Sequence, residues 1–336
     1  MAEVILENVT KSFGDVLALD NVSLSVPDGS FVVLLGPTGA GKTTTLRIIS
    51  GLDKADSGNV LIDGQPLTSQ TPAQRNVAMV FQQYSLYPHL SVRKNLEFPL
   101  KSPILNLSQI EIDAKVKEIS EILQISHKLD NKATALSGGE MQRVSIGRAL
   151  VRTPNIYLMD EPLSSLDAKL KADLRIELKN IQANLGQTLL YVTHDQIEAM
   201  TMATHIGVLY EGKLVQFGSP RDVYENPVSI YSANRLGQPR INILPADLFA
   251  GNIPPGAKSI GLRPEQIEQG KGEDASVNRV ERLGDQTRLH LKFKEYELIT
   301  VTDAHTPLQN GETVKIQVKK PFYFDANGAR IVEGNK

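Results

Sequence analysis

Phe31-Val32-Val33-Leu34-Leu35-Gly36-Pro37-Thr38-Gly39-Ala40-Gly41-Lys42-Thr43-Thr44 is the stretch that decides the fold. The apolar run Phe31–Leu35 has no polar interruption and reads as a strand buried on both faces. Gly36–Thr43 is GxxxxGK[ST], and Thr44-Thr45-Leu46-Arg47-Ile48-Ile49 supplies the first turns of a helix. Strand, glycine loop and helix, in that order, are the context this motif requires. Glycines let the main chain wrap around phosphate oxygens, and N–H groups at the helix start supply positive potential. Lys42 is then placed to reach the β- and γ-phosphates, and the Thr43 hydroxyl to ligate Mg²⁺.

Working outward, the same kind of apolar run recurs at Ile156–Met159, Leu189–Val192 and Ile206–Leu209. Amphipathic helices lie between them. Ser108 with Glu111 makes a capping box ahead of Ile112, Val116, Ile119 and Leu123. Leu166, Leu170, Leu174, Leu178, Ile181 and Leu185 keep helical steps until Gly186 stops them. Strands alternating with helices give an α/β core. After about residue 236 the pattern changes to short alternating strands, Leu289/Leu291/Phe293 and Val314/Ile316/Val318, separated by glycine turns. The expected architecture is therefore an α/β domain over 1–235 and a small OB-like β barrel over 236–336.

Composition narrows the function. The chain has 336 residues, 36 basic against 38 acidic, no Cys and no Trp. A formal charge of −2 gives no basic footprint for nucleic acid or anionic lipid. Without Cys there are no disulfides and no thiolate-held zinc or iron–sulfur site. The opening Met1-Ala2-Glu3-Val4 shows no signal peptide, and no apolar run approaches the roughly 20 residues that span a bilayer.

A second chemical element sits at Asp160-Glu161. Adjacent acids after Ile156–Met159 fall at a strand's C-terminal end, where α/β sheets place ligands. Asp160 fits the Mg²⁺ side of the phosphate loop, and Glu161 a general base that polarises water. A third element, Leu136-Ser137-Gly138-Gly139-Glu140, precedes a helical run from Met141. On its own it reads as a capping turn with Ser137 as cap, or as a second phosphate-binding surface serving another chain's nucleotide.

Taken in order, these motifs resemble the ATP-binding subunits of ABC transporters. Leu136–Glu140 is similar to the family's LSGGQ signature, with Glu140 in the last place. Asp160-Glu161 resembles the end of its Walker B strand, Ser165-Leu166-Asp167 its D-loop, and His194 its switch histidine. Gln82 in Val80-Phe81-Gln82-Gln83-Tyr84 resembles its Q-loop glutamine, and Phe13 stands where an aromatic, more commonly Tyr, stacks on adenine. Tyr84–Val92 and Tyr191–Met202 are similar to the carbohydrate-uptake branch of that family, and Ile260-Gly261-Leu262-Arg263-Pro264-Glu265 to a recurring GxRPE segment of its C-terminal β regulatory domain.

The resemblance implies a cassette with a helical subdomain at about 85–150 and two ATPs sandwiched head to tail between two copies. One copy supplies Phe13, Gly36–Thr44, Gln82, Asp160, Glu161 and His194, and the other Ser137, Gly138, Gly139 and Glu140, with Asp167 at the interface. Lys42, Gln82, Glu161 and His194 are the implied catalytic set, and Thr43, Gln82 and Asp160 the implied Mg²⁺ ligands. It further implies two separate membrane-spanning permease subunits, an extracytoplasmic solute-binding protein, and a peripheral position on the cytoplasmic face of a bacterial inner membrane. A homodimer is the default, and pairing with a paralogue stays open. The competing readings are a soluble ABC ATPase acting on ribosomes or DNA, and an OB-like nucleic-acid binder with an attached ATPase. The single cassette and acidic balance weigh against the first. Against the second, the alternating Lys and Arg of the C-terminal strands are more simply a solvated face.

Overall fold

The computed structural model describes residues 2–332, apart from Thr68, Ile104, Ser165 and Ala250, and of Leu185 only the backbone. The chain forms two compact units, Met1–Pro220 and Arg221–Lys336.

The first unit opens with a long antiparallel pair, β1 (Val4–Phe13) and β2 (Val16–Val26). Next come β3 (Phe31–Leu35), α1 (Lys42–Ser50), β4 (Ser57–Ile62), the short β5 (Gln65–Pro66) and β6 (Val77–Val80). Three helices follow, α2 (Val92–Glu97), α3 (Gln109–Ile122) and α4 (Gly138–Leu150). The unit closes with β7 (Ile156–Asp160), α5 (Ala168–Leu185), β8 (Leu189–Thr193), α6 (Gln196–Met202), β9 (His205–Tyr210) and β10 (Lys213–Gly218).

Two sheets result. The order β2-β1-β4-β5 is antiparallel, and β10-β9-β3-β8-β7-β6 is parallel except for its β9–β10 hairpin edge. Every residue of β3, β7 and β8 is buried, as uninterrupted apolar runs require of central parallel strands. Their register sets Leu35 opposite Thr193 and Asp160 opposite Val192, so the three strands end together. Val32, Leu34, Leu158, Leu190 and Val192 share a core with Leu6, Leu24, Leu46 and Ile49, which brings both sheets and α1 around one apolar centre.

The helices at 92–150 pack through Gly147. A Cβ there would stand 2.8 Å from the tip of Leu96 and 3.0 Å from that of Leu123, so the glycine lets these leucines of the neighbouring helices pack onto α4 without shifting. The capping box expected at Ser108/Glu111 is present at the start of α3.

The second unit holds α7 (Pro220–Glu225, which begins at its boundary), α8 (Ile230–Arg235), β11 (Asn242–Pro245), β12 (Ser259–Leu262), β13 (Ile267–Arg282), β14 (Gln286–Phe293), β15 (Tyr296–Asp303), β16 (Thr313–Val318), β17 (Phe322–Phe324) and β18 (Arg330–Ile331). The strands form two four-stranded antiparallel sheets, β11-β12-β17-β18 and β15-β14-β13-β16. Leu289, Leu291, Phe293, Val314 and Ile316 point into their shared core, as the alternation demanded. The long β13 bends at Gly272 (φ 96°), where Gln269 and Glu273 both face Ile316 and a Cβ would strike the Ile316 carbonyl.

Residues 221–235, assigned to the first domain by composition, lie in this second unit. The buried Arg263 explains why. Its guanidinium donates to the carbonyls of Tyr224, Ala233 and Leu236 and stacks 4.0 Å from the Tyr224 ring. The Tyr224 hydroxyl in turn donates to Glu265 at 2.6 Å. The Arg-Pro-Glu segment is a latch that fastens both short helices to the β sheets.

Candidate functional site

The site is built at the aligned strand ends. Beyond Leu35 the chain turns through Gly36–Gly41, with Gly39 (φ 82°) and Gly41 (φ 98°) left-handed. A Cβ on Gly41 would meet the Ala18 carbonyl at 2.6 Å, so this loop requires glycine for both shape and space. Gly41 is also the N-cap of α1 and offers no side-chain acceptor, so the first-turn N–H groups of the helix face the loop. Such groups favour an anion.

Lys42 is buried, and its ammonium donates to the carbonyls of Gly36 and Pro37, both at 3.0 Å. The Thr43 hydroxyl donates to Asp160 Oδ1 at 3.0 Å. This bond joins the helix after β3 to the last residue of β7. Burial pushes the Asp160 carboxyl up, and the Thr43 hydroxyl and the nearby Lys42 only partly offset it.

Glu161 follows with φ 46°, unusual for a non-glycine residue. Its N–H donates to the Val192 carbonyl at 3.0 Å, fixing it to the end of β8. Its two carboxylate oxygens face opposite partners. Oε1 lies 3.8 Å from Lys42 Nζ, and Oε2 lies 3.2 Å from His194 Nδ1. His194 is mostly exposed, while Glu161 is mostly buried. Lys42, Thr43, Asp160, Glu161 and His194, from three separate stretches of sequence, therefore converge.

Sequence reasoning missed what supports His194. Behind it, the buried Tyr191 hydroxyl donates to the buried Glu198 at 2.9 Å. Asp195 caps α6 by accepting the N–H groups of Ile197 and Glu198, and its own N–H donates to Thr193. Burial pushes the Glu198 carboxyl up. The alternation Tyr191, Thr193 before Asp195 was the available signal: a polar group on the inner face of an otherwise apolar strand.

Other expected residues stand apart. Gln82 is exposed just past β6 and makes no side-chain hydrogen bond among the described residues. Phe13 ends β1, half-exposed, with Lys11 Nζ 5.2 Å from its ring. Thr38 and Gly39 are exposed, Pro37 partly so, and Gly36, Ala40 and Gly41 buried. Thr44 is half-buried on the first turn of α1, where Thr43 is the exposed residue. Asp167 is the N-cap of α5 and accepts the Leu170 N–H at 3.0 Å, while Ser165 lies outside the described residues.

Ser137–Glu140 starts α4. Ser137 is its N-cap, and Glu140 completes a capping box by accepting from the Ser137 N–H (2.8 Å) and hydroxyl (3.0 Å). Lys128 Nζ lies 3.2 Å from the other Glu140 oxygen. Of the two alternatives in the sequence, the structure shows the capping turn, with Gly138 and Gly139 in the first turn of α4. On its far half α4 lines a cleft of about 1040 Å³ with Met79, Phe81, Phe98, Leu105, Arg148 and Arg152. Arg148 donates to the Ser85 carbonyl and lies 4.7 Å from the Tyr87 ring. The buried Asn95 amide donates to the carbonyls of Tyr87, Leu90 and Ser91, fixing that loop.

Residues 19–164 match the ABC transporter domain and residues 260–320 the TOBE domain. The sn-glycerol-3-phosphate import ATP-binding protein UgpC 3 of Rhizobium etli is 40% identical over 331 residues, covering 95% of this chain and 94% of that protein. The chain belongs to the ATP-binding subunits of ABC transporters. The maltose/maltodextrin import ATP-binding protein MalK of Escherichia coli is likewise 40% identical, over 87% of this chain and 86% of MalK. Among solved structures, the dimeric bacterial ABC transporter cassette MJ0796 superposes with TM-score 0.60 at 34% identity, covering 65% of this chain and 99% of that one. The same cassette bound to ADP and Pi in a post-hydrolysis dimer gives 0.59.

The nucleotide of this family is ATP with Mg²⁺, and the donor set fits. A hydroxyl and a carboxylate beside a phosphate cradle suit a hard ion that keeps waters and takes phosphate oxygens as further ligands. Among the described residues no group of three or more His, Cys, Asp or Glu is placed to hold a metal.

Proposed function

We propose that this chain hydrolyses ATP to drive solute import, as one of two copies that close head to tail on two nucleotides. The observation that carries the reading is Glu161 held between Lys42 and His194, one residue beyond the Asp160–Thr43 bond. Each copy offers a cradle and a base at the strand ends. Ser137, Gly138, Gly139 and Glu140 of its partner supply the opposing surface.

Within one chain the roles follow from geometry. Lys42 exchanges the Gly36 and Pro37 carbonyls for phosphate oxygens, and the α1 N-terminus takes the remaining charge. Thr43 and Asp160 would hold Mg²⁺, which would supply neutralisation of phosphate charge there. Gln82, exposed just past β6, would complete the ligand set. Glu161 accepts a proton from the attacking water, and His194 fixes the carboxylate rotamer and faces the γ-phosphate. Phe13 stacks on adenine. Losing the γ-phosphate removes the charge that holds two donor-rich surfaces together, so the copies separate.

The permease subunits are separate chains that insert a helix into the Met79/Phe98/Arg148 cleft. Helix α4 supports this reading because it carries the signature at its N-terminus and cleft residues Arg148 and Ala149 near its C-terminus. Opening and closing at the nucleotide therefore moves the permease contact as a rigid element. No helix among the described residues is long and apolar enough to cross a membrane, which suits a peripheral subunit on the cytoplasmic face. The relatives named for glycerol phosphate and maltodextrin import point to a carbohydrate or polyol-phosphate cargo, delivered by an extracytoplasmic binding protein. Affinity isolation of the full chain tests this: two hydrophobic permease chains should accompany it and raise its ATP turnover. Recovery with ribosomes or nucleic acid instead would refute it.

A further inference from the structure

Glu140 stands where the signature ordinarily ends in a neutral amide, and the structure shows what a carboxylate does there. Its Oε2 accepts from the Ser137 N–H at 2.8 Å and the Ser137 hydroxyl at 3.0 Å. These bonds, the backbone one foremost, together with Lys128 hold the carboxyl down at about 2, so it carries a full negative charge at any physiological pH. A negative charge in the first turn suits the helix itself. It does not suit a surface that must receive a triphosphate.

Lys128 supplies the answer. It ends a short 3-10 turn, Ser126–Lys128, and its ammonium lies 3.2 Å from Glu140 Oε1. Both side chains are more than two-thirds buried, so solvent screens the pair less than an exposed one. The turn is held in place from both sides. Arg143, one turn along α4, donates to the carbonyls of Leu123 and Gln124 at 3.3 and 3.5 Å, and the Ser120 and Ser126 hydroxyls lie 3.1 Å apart.

We propose that Lys128 is the counter-charge of this signature: paired with Glu140 it restores the zero net charge of a glutamine-ended loop and lets the α4 N-terminus face the partner copy's ATP. Lys128 acts through Glu140 and is a positioning residue. The proposal rests on the reading that Ser137–Glu140 receives that nucleotide.

A double-mutant cycle on the full chain tests it, with Mg·ATP turnover as the readout. In the native background Lys128→Met lowers kcat/KM for ATP by about tenfold, because it leaves Glu140 charged and unpaired opposite phosphate. In the Glu140→Gln background the same substitution changes turnover by less than about twofold. Lys128→Arg retains most of the native rate, and calorimetric ATP affinity of the full chain, measured where it is monomeric, is the same for Lys128→Met and Lys128→Arg as for the native protein. Equal losses in both backgrounds would mean that Lys128 merely fastens the 123–128 segment to α4, and would overturn the proposal. So would full activity of Lys128→Met alone. The underlying reading fails separately, if Ser137→Arg leaves turnover intact.

Discussion

Thr43 and Asp160, 117 positions apart in sequence, are joined by a 3.0 Å hydrogen bond from hydroxyl to carboxylate. Asp160 is buried, and burial raises its carboxyl above the ordinary value. Its ionised form therefore costs stability in the nucleotide-free chain, most at pH above the raised value. Asp160→Asn should raise the melting temperature of the apo chain by about 2–4 °C, about 1 kcal/mol. The gain should shrink as pH falls towards the ordinary carboxylate range, where the native aspartate takes up its proton. The same variant should lose Mg²⁺-dependent ATP turnover, and calorimetry scanned across pH alongside an ATPase assay checks both halves.

Glu161 is the only carboxylate placed between Lys42 and His194 among the described residues. Glu161→Gln should cut hydrolysis by at least about 100-fold while leaving ATP binding intact. Unchanged turnover would remove it from the role of base. His194→Ala should fall nearly as far, and the double variant should lose little more, because the two act as a unit.

Lys42 is already dehydrated and held by two carbonyls, so it is preorganised for phosphate. Lys42→Ala should weaken ATP binding by at least about thirtyfold, measured by calorimetry. Undiminished affinity would contradict the cradle assignment.

Behind His194, Glu198→Ala should strand the buried Tyr191 hydroxyl and lower stability by about 2 kcal/mol, or about 4–8 °C. Turnover should fall in parallel as the Thr193–Asp195 turn loosens. Glu198→Gln keeps an acceptor for Tyr191 and should recover most of both, by thermal melting and ATPase assay.

Phe98 is half-exposed in the cleft, its ring centroid 4.5 Å from that of Tyr87 and tilted by 49°. Phe98→Glu should reduce recovery of permease chains with this subunit by more than it reduces ATP turnover. Pull-down yield and phosphate release, measured on the same preparations, compare the two.

How much of this was legible beforehand follows from where each signal lives. Phe31–Leu35, Ile156–Met159 and Leu189–Val192 are uninterrupted apolar runs, and central parallel strands leave that mark in any context. The Gly36–Thr43 loop and the Asp160-Glu161 pair were legible as motifs placed after apolar strands, and the structure brings the two together. The 221–235 boundary was not, since α7 and α8 look like a continuation of the first domain until Arg263, some 30 residues later, captures their carbonyls. Likewise the Glu140–Lys128 pair spans two elements, and no local pattern announces it. Gln82 is exposed and makes no side-chain hydrogen bond among the described residues, so no contact within the chain marks it.

The central claim is that each ATP lies between the cradle of one copy and the signature of another. The absence of cysteine makes a direct measurement simple. In a Glu161→Gln background, chains carrying only Thr38→Cys are mixed with chains carrying only Ser137→Cys and treated with a short bismaleimide. The account predicts a cross-linked product of twice the 36.8 kDa chain mass, dependent on mixing and strongly accelerated by Mg·ATP. No mixed product with Mg·ATP, or cross-linking only within a chain that carries both cysteines, would contradict it.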